Sequence, residues 1–98
     1  MRAWALDRLC LAVDAPQILG SDTDACRVVA LLLPKGDALQ EHQAHEGAVL
    51  FLTRGLLLIG ADAGERTVPS PSLIRFEPGE CHQVRAVTEC QLLLVSLD

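Results

Sequence analysis

The sequence predicts an all-β fold, a sandwich or barrel built from short strands. Apolar runs rich in Leu, Val and Ile recur at intervals of about ten residues, a spacing typical of all-β domains. Gly, Pro, Asp and Ser separate these runs and mark the turns between them. No pattern indicates a long helix, and a chain of 98 residues has room for a single domain with one core and one pocket.

The first part of the chain, residues 1–25, is interpreted as an N-terminal extension that precedes a barrel core at residues 27–97. Its apolar residues match the i, i+3, i+4, i+7 spacing of one helix face, and these are Leu6, Leu9, Cys10 and Val13. This spacing predicts a helical turn that ends at residues 14–16. Residues 9–13 would equally suit a short strand, so both interpretations stay open.

Three apolar runs predict the first strands of the barrel. A turn at residues 20–22 precedes the β-rich run 26–33, which predicts a central strand. Residues 34–36 have the composition of a tight turn and end that strand. The other two runs predict strands at residues 48–52 and 55–60.

Turn residues are more closely spaced in the second half of the chain. Residues 61–65 have hairpin composition and join the run 55–60 to a strand at residues 66–68. Pro69 and Pro71 keep the next stretch extended or turned. The remaining predicted elements are a strand at residues 73–76, a turn at residues 77–80 and strands at residues 81–84 and 91–95.

The charge of the chain argues against nucleic acid and anionic membranes as partners. Thirteen acidic residues exceed eight basic ones, for a net charge of −5, and the basic residues are scattered singly. The longest apolar run, residues 28–33, is far shorter than the roughly 20 residues of a membrane-spanning helix. Without an export signal in this sequence, the default expectation is a cytoplasmic protein.

Four cysteines are present without a CxxC pair, at Cys10, Cys26, Cys81 and Cys90. In a reducing compartment they are expected to be free thiols that mainly pack in the interior. Cys81 stands beside His82, whose imidazolium would lower the pKa of a neighbouring thiol. Adjacent strand residues point to opposite faces, however, so a packing role is favoured here too.

Two stretches of the chain resemble the motifs of the cupin family. In the first, Gly36, His42 and Gly55 occupy the positions of the first Gly, the first His and the last Gly of the motif. Ala44 stands where that motif has its second His, and Ala48 stands where it has a Glu. The spacing is physically reasonable, because each Gly lets the backbone turn and each His lies on the strand that leaves a turn.

The second stretch resembles the second cupin motif through Gly79 and His82. Pro71 replaces its first Gly, Pro78 is displaced by one position and Ala86 replaces its Asn. The resemblance covers about residues 27–97. It implies a double-stranded β-helix, the jelly-roll barrel of cupins, with the imidazoles of both motifs inside it.

The resemblance also implies a candidate cofactor. Cupins with three His and one Glu bind a divalent metal, such as zinc, nickel, iron or manganese, and catalyse oxygenase or isomerase reactions. This chain keeps His42 and His82, which are too few for a zinc or iron site, so His45 or Glu46 would have to complete it. His42 and His45 face opposite sides of a strand unless a bulge lies between them.

Alanine at two ligand positions leaves space inside the barrel. That space predicts an apolar pocket with two imidazoles as polar contacts, which suits a small organic ligand. The predicted lining residues are His42, Ala44, Ala48, Leu50, Leu52, His82 and Val84. In the alternative, neighbouring Leu and Phe side chains fill the space and the barrel is a packed scaffold.

Three functions are therefore compatible with the sequence. The first is a binding module for a small molecule, metal-free or weakly metal-binding. The second is a small metalloenzyme in which His42, His82 and a third ligand hold a divalent ion. The third is a structural role as a homodimer formed through strand edges.

Overall fold

The computed structural model describes residues 1–13, 15–20, 26–39, 48–61, 64–76 and 82–97. Within these ranges it has one 3₁₀ turn, Leu6–Arg8, and eight strands. The strands are β1 (Gln17–Leu19), β2 (Cys26–Leu33), β3 (Ala48–Arg54), β4 (Leu56–Ala61), β5 (Gly64–Pro69), β6 (Ser72–Arg75), β7 (His82–Ala86) and β8 (Cys90–Leu97).

The strands form two antiparallel sheets. The larger sheet has five strands in the order β1-β2-β8-β3-β6, and the smaller one has three in the order β5-β4-β7. β8 is central in the larger sheet, where Leu92 pairs with Leu31 on β2 and with Leu52 on β3. In the smaller sheet Leu57 on β4 pairs with Val68 on β5. Two layers in this order form a jelly roll, which confirms the predicted all-β barrel.

The inner faces of the two sheets share one hydrophobic core. Since strand side chains alternate between faces, every second residue of a strand contributes to it. The most deeply buried large side chains are Leu50, Leu52, Leu57, Leu92, Val84 and Cys90. Both sheets supply members of this cluster, so each sheet buries the apolar face of the other.

The segment that follows β2 crosses to the smaller sheet and runs antiparallel to β7. The N–H of Gly36 donates to the carbonyl of Ala86 at 2.8 Å, and the N–H of Leu39 donates to the carbonyl of Val84 at 2.8 Å. The guanidinium of Arg85 donates to the carbonyl of Gly36 at 2.7 Å. These bonds fix the path of the chain as it approaches the first histidine motif.

Two motif glycines adopt the positive φ that L residues rarely take. Gly36 has φ +87° in the turn after β2, where the N–H of Asp37 donates to the carbonyl of Pro34 at 3.0 Å. Gly55 has φ +105° between β3 and β4. Both glycines therefore lie at turns, which confirms the physical reason given for their spacing.

The N-terminal extension forms no α-helix in its described part. The apolar spacing predicts a helical turn over residues 6–13, but the structure has only the 3₁₀ turn Leu6–Arg8. An α-helix would use the Leu6 carbonyl to accept the N–H of Cys10. That carbonyl instead accepts the N–H of Leu9 at 3.5 Å, the bond of the 3₁₀ turn, and the side-chain N–H of Gln91 at 2.9 Å. The predicted helical turn is therefore present only as the 3₁₀ turn Leu6–Arg8, and the alternative of a strand at residues 9–13 is wrong.

The extension packs instead on the outer face of the larger sheet. Its contributing side chains are Leu6, Leu9 and Leu11, which lie against a cluster that contains Leu19, Ala30 and Leu93. Gln91 lies beneath the extension and is only 3% exposed. The backbone carbonyl of Gln91 accepts a hydrogen bond from the Thr53 hydroxyl at 3.0 Å. This docking covers part of an apolar sheet face that would otherwise meet water.

The cysteines divide into two environments. Cys90 is buried in the core, whereas Cys10 and Cys26 are exposed, and all three are free thiols. The prediction of mainly packed thiols is therefore wrong for Cys10, in the extension, and for Cys26, the first residue of β2. Burial raises the pKa of the Cys90 thiol, so it stays protonated at neutral pH. Cys81 lies outside the described residues.

In the ranges that the structure describes, no helix has the length and apolar character needed to cross a membrane.

Candidate ligand site

The candidate site predicted from the sequence falls partly outside the described residues. Its members in segment 40–47 are His42, Ala44, His45 and Glu46, and their part in a pocket or metal site stays a prediction. The described members are Leu50, Leu52 and Val84, together with the backbone of Ala48 and His82. The strands that carry these five positions form the described part of the site.

His82 is the first residue of β7. Its backbone partner on β4 is Ala61. Strand alternation puts position 82 on the same face as Val84 and Ala86, and both of these side chains are 2% exposed in the barrel core. Position 82 thus begins the core-facing row of β7.

Ala48 has the corresponding place on the larger sheet. It is the first residue of β3, and its backbone pairs with Ser96 on β8. Alternation puts position 48 on the face that carries Leu50 and Leu52, each 1% exposed. Position 48, where the motif has a carboxylate, therefore begins the core-facing row of β3.

Both rows begin at the same end of the barrel. In the smaller sheet Ala61 pairs with His82 on one side and with Gly64 on the other. In the larger sheet Val49, the second residue of β3, pairs with Arg75 on β6. Gly64 and Arg75 line one and the same cleft, so the two strand starts lie on the same side of the molecule.

The described segment that ends at Leu39 also runs toward this end of the barrel. Leu39 precedes His42 by three residues, and its N–H donates to the carbonyl of Val84, two residues after His82. The Leu39 side chain packs against the barrel core. The described path therefore leads toward His42 alongside the strand that His82 begins.

Deeper in the barrel the described interior is closely packed and apolar. Leu50, Leu52 and Val84 belong to one contiguous cluster with Leu92 and Phe76. Among the described side chains, no buried nitrogen or oxygen lacks a hydrogen-bond partner. Any ligand at this end would thus rest on aliphatic side chains. That these three residues line a ligand pocket stays a prediction.

The donor set of this chain does not fit the full cupin metal site. Ala48 occupies the carboxylate position, and a methyl group supplies no ligand. Within the described ranges, no three His, Cys, Asp or Glu residues cluster closely enough to hold an ion. The motif positions of this chain supply the imidazoles of His42 and His82, one fewer than the three protein ligands that a catalytic zinc site uses.

Comparison with known proteins finds the same architecture. No family model matches the sequence. No curated protein matches it either. Among solved structures, a cupin 2 conserved barrel domain protein from Salinispora arenicola CNS-205 is 24% identical with a TM-score of 0.74, covering 100% of this chain and 89% of its own.

Two further structures from distant organisms agree. A cupin superfamily protein from Desulfitobacterium hafniense DCB-2 is 12% identical with a TM-score of 0.70, covering 94% of this chain and 85% of its own. The cupin domain of Schizosaccharomyces pombe Cnp3 is 11% identical with a TM-score of 0.72, covering 98% of this chain and 74% of its own. At such identities the likeness concerns the fold. The chain has the cupin fold, as its two motif stretches predict.

Proposed function

We propose that this chain is a cupin-fold binding protein that holds a small organic molecule at the barrel end where β3 and β7 begin. The observation that carries the proposal is the 2.8 Å hydrogen bond from Leu39 to Val84. It sets the chain that leads to His42 beside the strand that starts at His82. Two imidazoles on neighbouring segments would be the polar contacts of such a site.

The surroundings favour an organic ligand with both apolar and polar parts. Leu50, Leu52 and Val84 offer an aliphatic base, and a neutral imidazole both donates and accepts a hydrogen bond. Sites for small organic molecules usually combine mainly apolar walls with a few polar groups that fix orientation. A molecule carrying a hydroxyl, carbonyl or carboxylate on a small hydrocarbon frame matches this combination.

The alanine at position 48 supports organic binding over metal catalysis. It begins the core-facing row of β3 at the position where a metal-binding cupin has a Glu. The smaller side chain removes a ligand and leaves room for part of a substrate-sized molecule. The proposal therefore places the ligand where the metal and its carboxylate would otherwise lie.

The proposal predicts a low metal content. After loading with zinc, nickel, iron or manganese and extensive dialysis, the untagged protein is expected to retain far less than one ion per chain. The reason is that two imidazoles alone hold a divalent ion weakly. Elemental analysis of the purified protein measures this directly.

The matched control is the His42→Ala/His82→Ala variant, loaded and dialysed in parallel. Similar low contents in both proteins support the proposal. An ion retained at near stoichiometry by the native chain and lost from the variant would overturn it. In that case a metal-centred oxygenase or isomerase reaction would become the better account.

A further inference from the structure

The larger sheet carries two polar side chains at the barrel end where the ligand is proposed to bind. Arg27 on β2 pairs with Ser96 on β8, and Ser96 pairs on its other side with position 48 on β3. The three positions form one cross-strand row at the end of the barrel where β3 begins. Arg27 and Ser96 belong to neither histidine motif.

This cross-strand row is on the core-facing side of the sheet. Leu31 on β2 belongs to the core, so alternation puts Arg27 on the same face. Leu94 on β8 belongs to the core as well, and alternation likewise puts Ser96 on that face. Arg27 is exposed and Ser96 is partly buried. The row therefore leads from solvent toward the interior.

The row also lies on the flank of the barrel that carries position 82. β2 leads directly into residues 34–39, which run beside β7, so β2 and β7 are neighbours on one flank. β5 and β6, joined by the short link from Pro69 to Ser72, are neighbours on the other flank. Arg27 is the second residue of β2 and His82 is the first of β7. Both positions are thus at the same end and on the same flank.

Both polar groups are available to a ligand. Within the described ranges, the Ser96 hydroxyl and the Arg27 guanidinium take part in no hydrogen bond or ion pair. The next core-facing row is aliphatic, because Leu94 pairs with Val29 on one side and with Leu50 on the other. It lies about 7 Å deeper, the rise of two strand residues. Hydrogen-bond donors at the mouth and aliphatic side chains beneath them suit a molecule with an acceptor at one end.

We infer that Arg27 and Ser96 bind the carboxylate of a short aliphatic acid in the barrel-end site. This inference rests on the function proposed above and specifies its ligand. A guanidinium and a hydroxyl both donate hydrogen bonds, and a carboxylate accepts several at once. Residues directly opposite on adjacent strands have Cβ atoms about 4.5–5.5 Å apart, so one carboxylate can contact both side chains. The hydrocarbon chain of the acid lies on Val29, Leu50 and Leu94.

Hexanoate is a suitable probe, and 1-hexanol is its neutral counterpart. Isothermal titration with the full chain is expected to show saturable hexanoate binding at least tenfold tighter than that of 1-hexanol. Methyl resonances of Leu50 and Leu94 are expected to shift in two-dimensional NMR spectra. Arg27→Gln/Ser96→Ala is expected to weaken hexanoate binding about tenfold or more and to leave 1-hexanol binding unchanged.

Arg75→Gln is the matched control, because it removes one exposed arginine near the same end of the barrel. Arg75 pairs with Val49, and alternation puts both on the outer face of the larger sheet, opposite to Arg27. This variant is expected to bind hexanoate like the native protein. The comparison separates direct contact with the carboxylate from a general effect of positive charge. Melting curves confirm that each variant is folded.

The histidine variant distinguishes this inference from the proposed function. His42→Ala/His82→Ala removes contacts open to a hydroxyl and a carboxylate alike, so it is expected to weaken the binding of both probes. Equal affinity for the two probes, or equal weakening of hexanoate binding by Arg75→Gln, would overturn the inference and leave the proposed function standing. The absence of saturable hexanoate binding at millimolar concentration would overturn it too. Hexanoate binding that depends on Arg27 and Ser96 but not on the histidines would contradict a shared site and so overturn both.

Discussion

Replacing Leu92 by Ala is expected to destabilise the protein by about 3–5 kcal/mol, the cost of a large cavity in a well-packed core. Leu92 is 0% exposed and lies on β8, the central strand of the larger sheet. Its neighbours Leu31 and Leu52 are held by the sheet ladders on both sides, so they have little freedom to fill the space. A domain of this size has about 5–15 kcal/mol of stability in total.

The measurement is thermal or urea unfolding of the purified variant. A fall in Tm of roughly 12–40 °C follows from a shift of about 4–8 °C per kcal/mol in small domains. The matched control is Leu73→Ala, because Leu73 is 58% exposed on the edge strand β6 and is expected to cost under about 1 kcal/mol. Equal losses in the two variants would contradict the core described here.

Replacing Gly55 by Ala is expected to cost about 2–5 kcal/mol, from backbone strain and overpacking together. Gly55 has φ +105°, a conformation that alanine adopts only with strain. An added Cβ would also lie 2.5 Å from the Glu89 carbonyl oxygen and 2.7 Å from the Cys90 sulfur. The first of these is a backbone atom and cannot rotate away.

Gly36→Ala separates the two contributions. Gly36 has a similar φ of +87°, but no atom lies within 4 Å of its added Cβ, so only backbone strain of about 1–2 kcal/mol is expected. Urea unfolding measures both variants. Iodoacetamide labelling gives a second readout, since Gly55→Ala should expose the buried Cys90 thiol. Equal destabilisation by the two substitutions would contradict the close approach of Gly55 to β8.

Much of the fold is predictable because its signals are local. The bounds of β2, Cys26–Leu33, match the predicted run, since an unbroken apolar segment ends in a turn with a required glycine. Other strands begin or end a few residues away from their predicted limits. β7 is an example, predicted at residues 81–84 and observed at His82–Ala86. Such limits depend on the partner strand, which a single run does not specify.

The N-terminal extension shows where local signals fail. Its leucines have helical spacing, but a short isolated helix is costly to nucleate. The extension forms only one 3₁₀ turn, and the Leu6 carbonyl in it also accepts the side chain of Gln91, which is 85 residues away in sequence. A long-range hydrogen bond of this kind leaves no trace in the spacing of apolar residues.

The candidate sites also differ in how far the sequence predicts them. Ala48 and His82 are identifiable because motif spacing places each at the start of a strand. Arg27 and Ser96, a single arginine and a single serine far apart in the chain, have the sequence pattern of solvated surface residues. Only the register of β8 with β2 and β3 brings them to one row beside position 48. The homodimer expected from strand edges stays a prediction.

Positions 42, 44, 48 and 82 are predicted to converge at one end of the barrel. The most direct measurement is the zinc content of an Ala44→His/Ala48→Glu variant, which restores the full cupin donor set. About one tightly held ion per chain is expected, since three imidazoles and a carboxylate suffice for zinc. Loss of that ion on adding His82→Ala would confirm the shared site. A variant that retains no zinc, or that retains it without His82, would contradict the convergence.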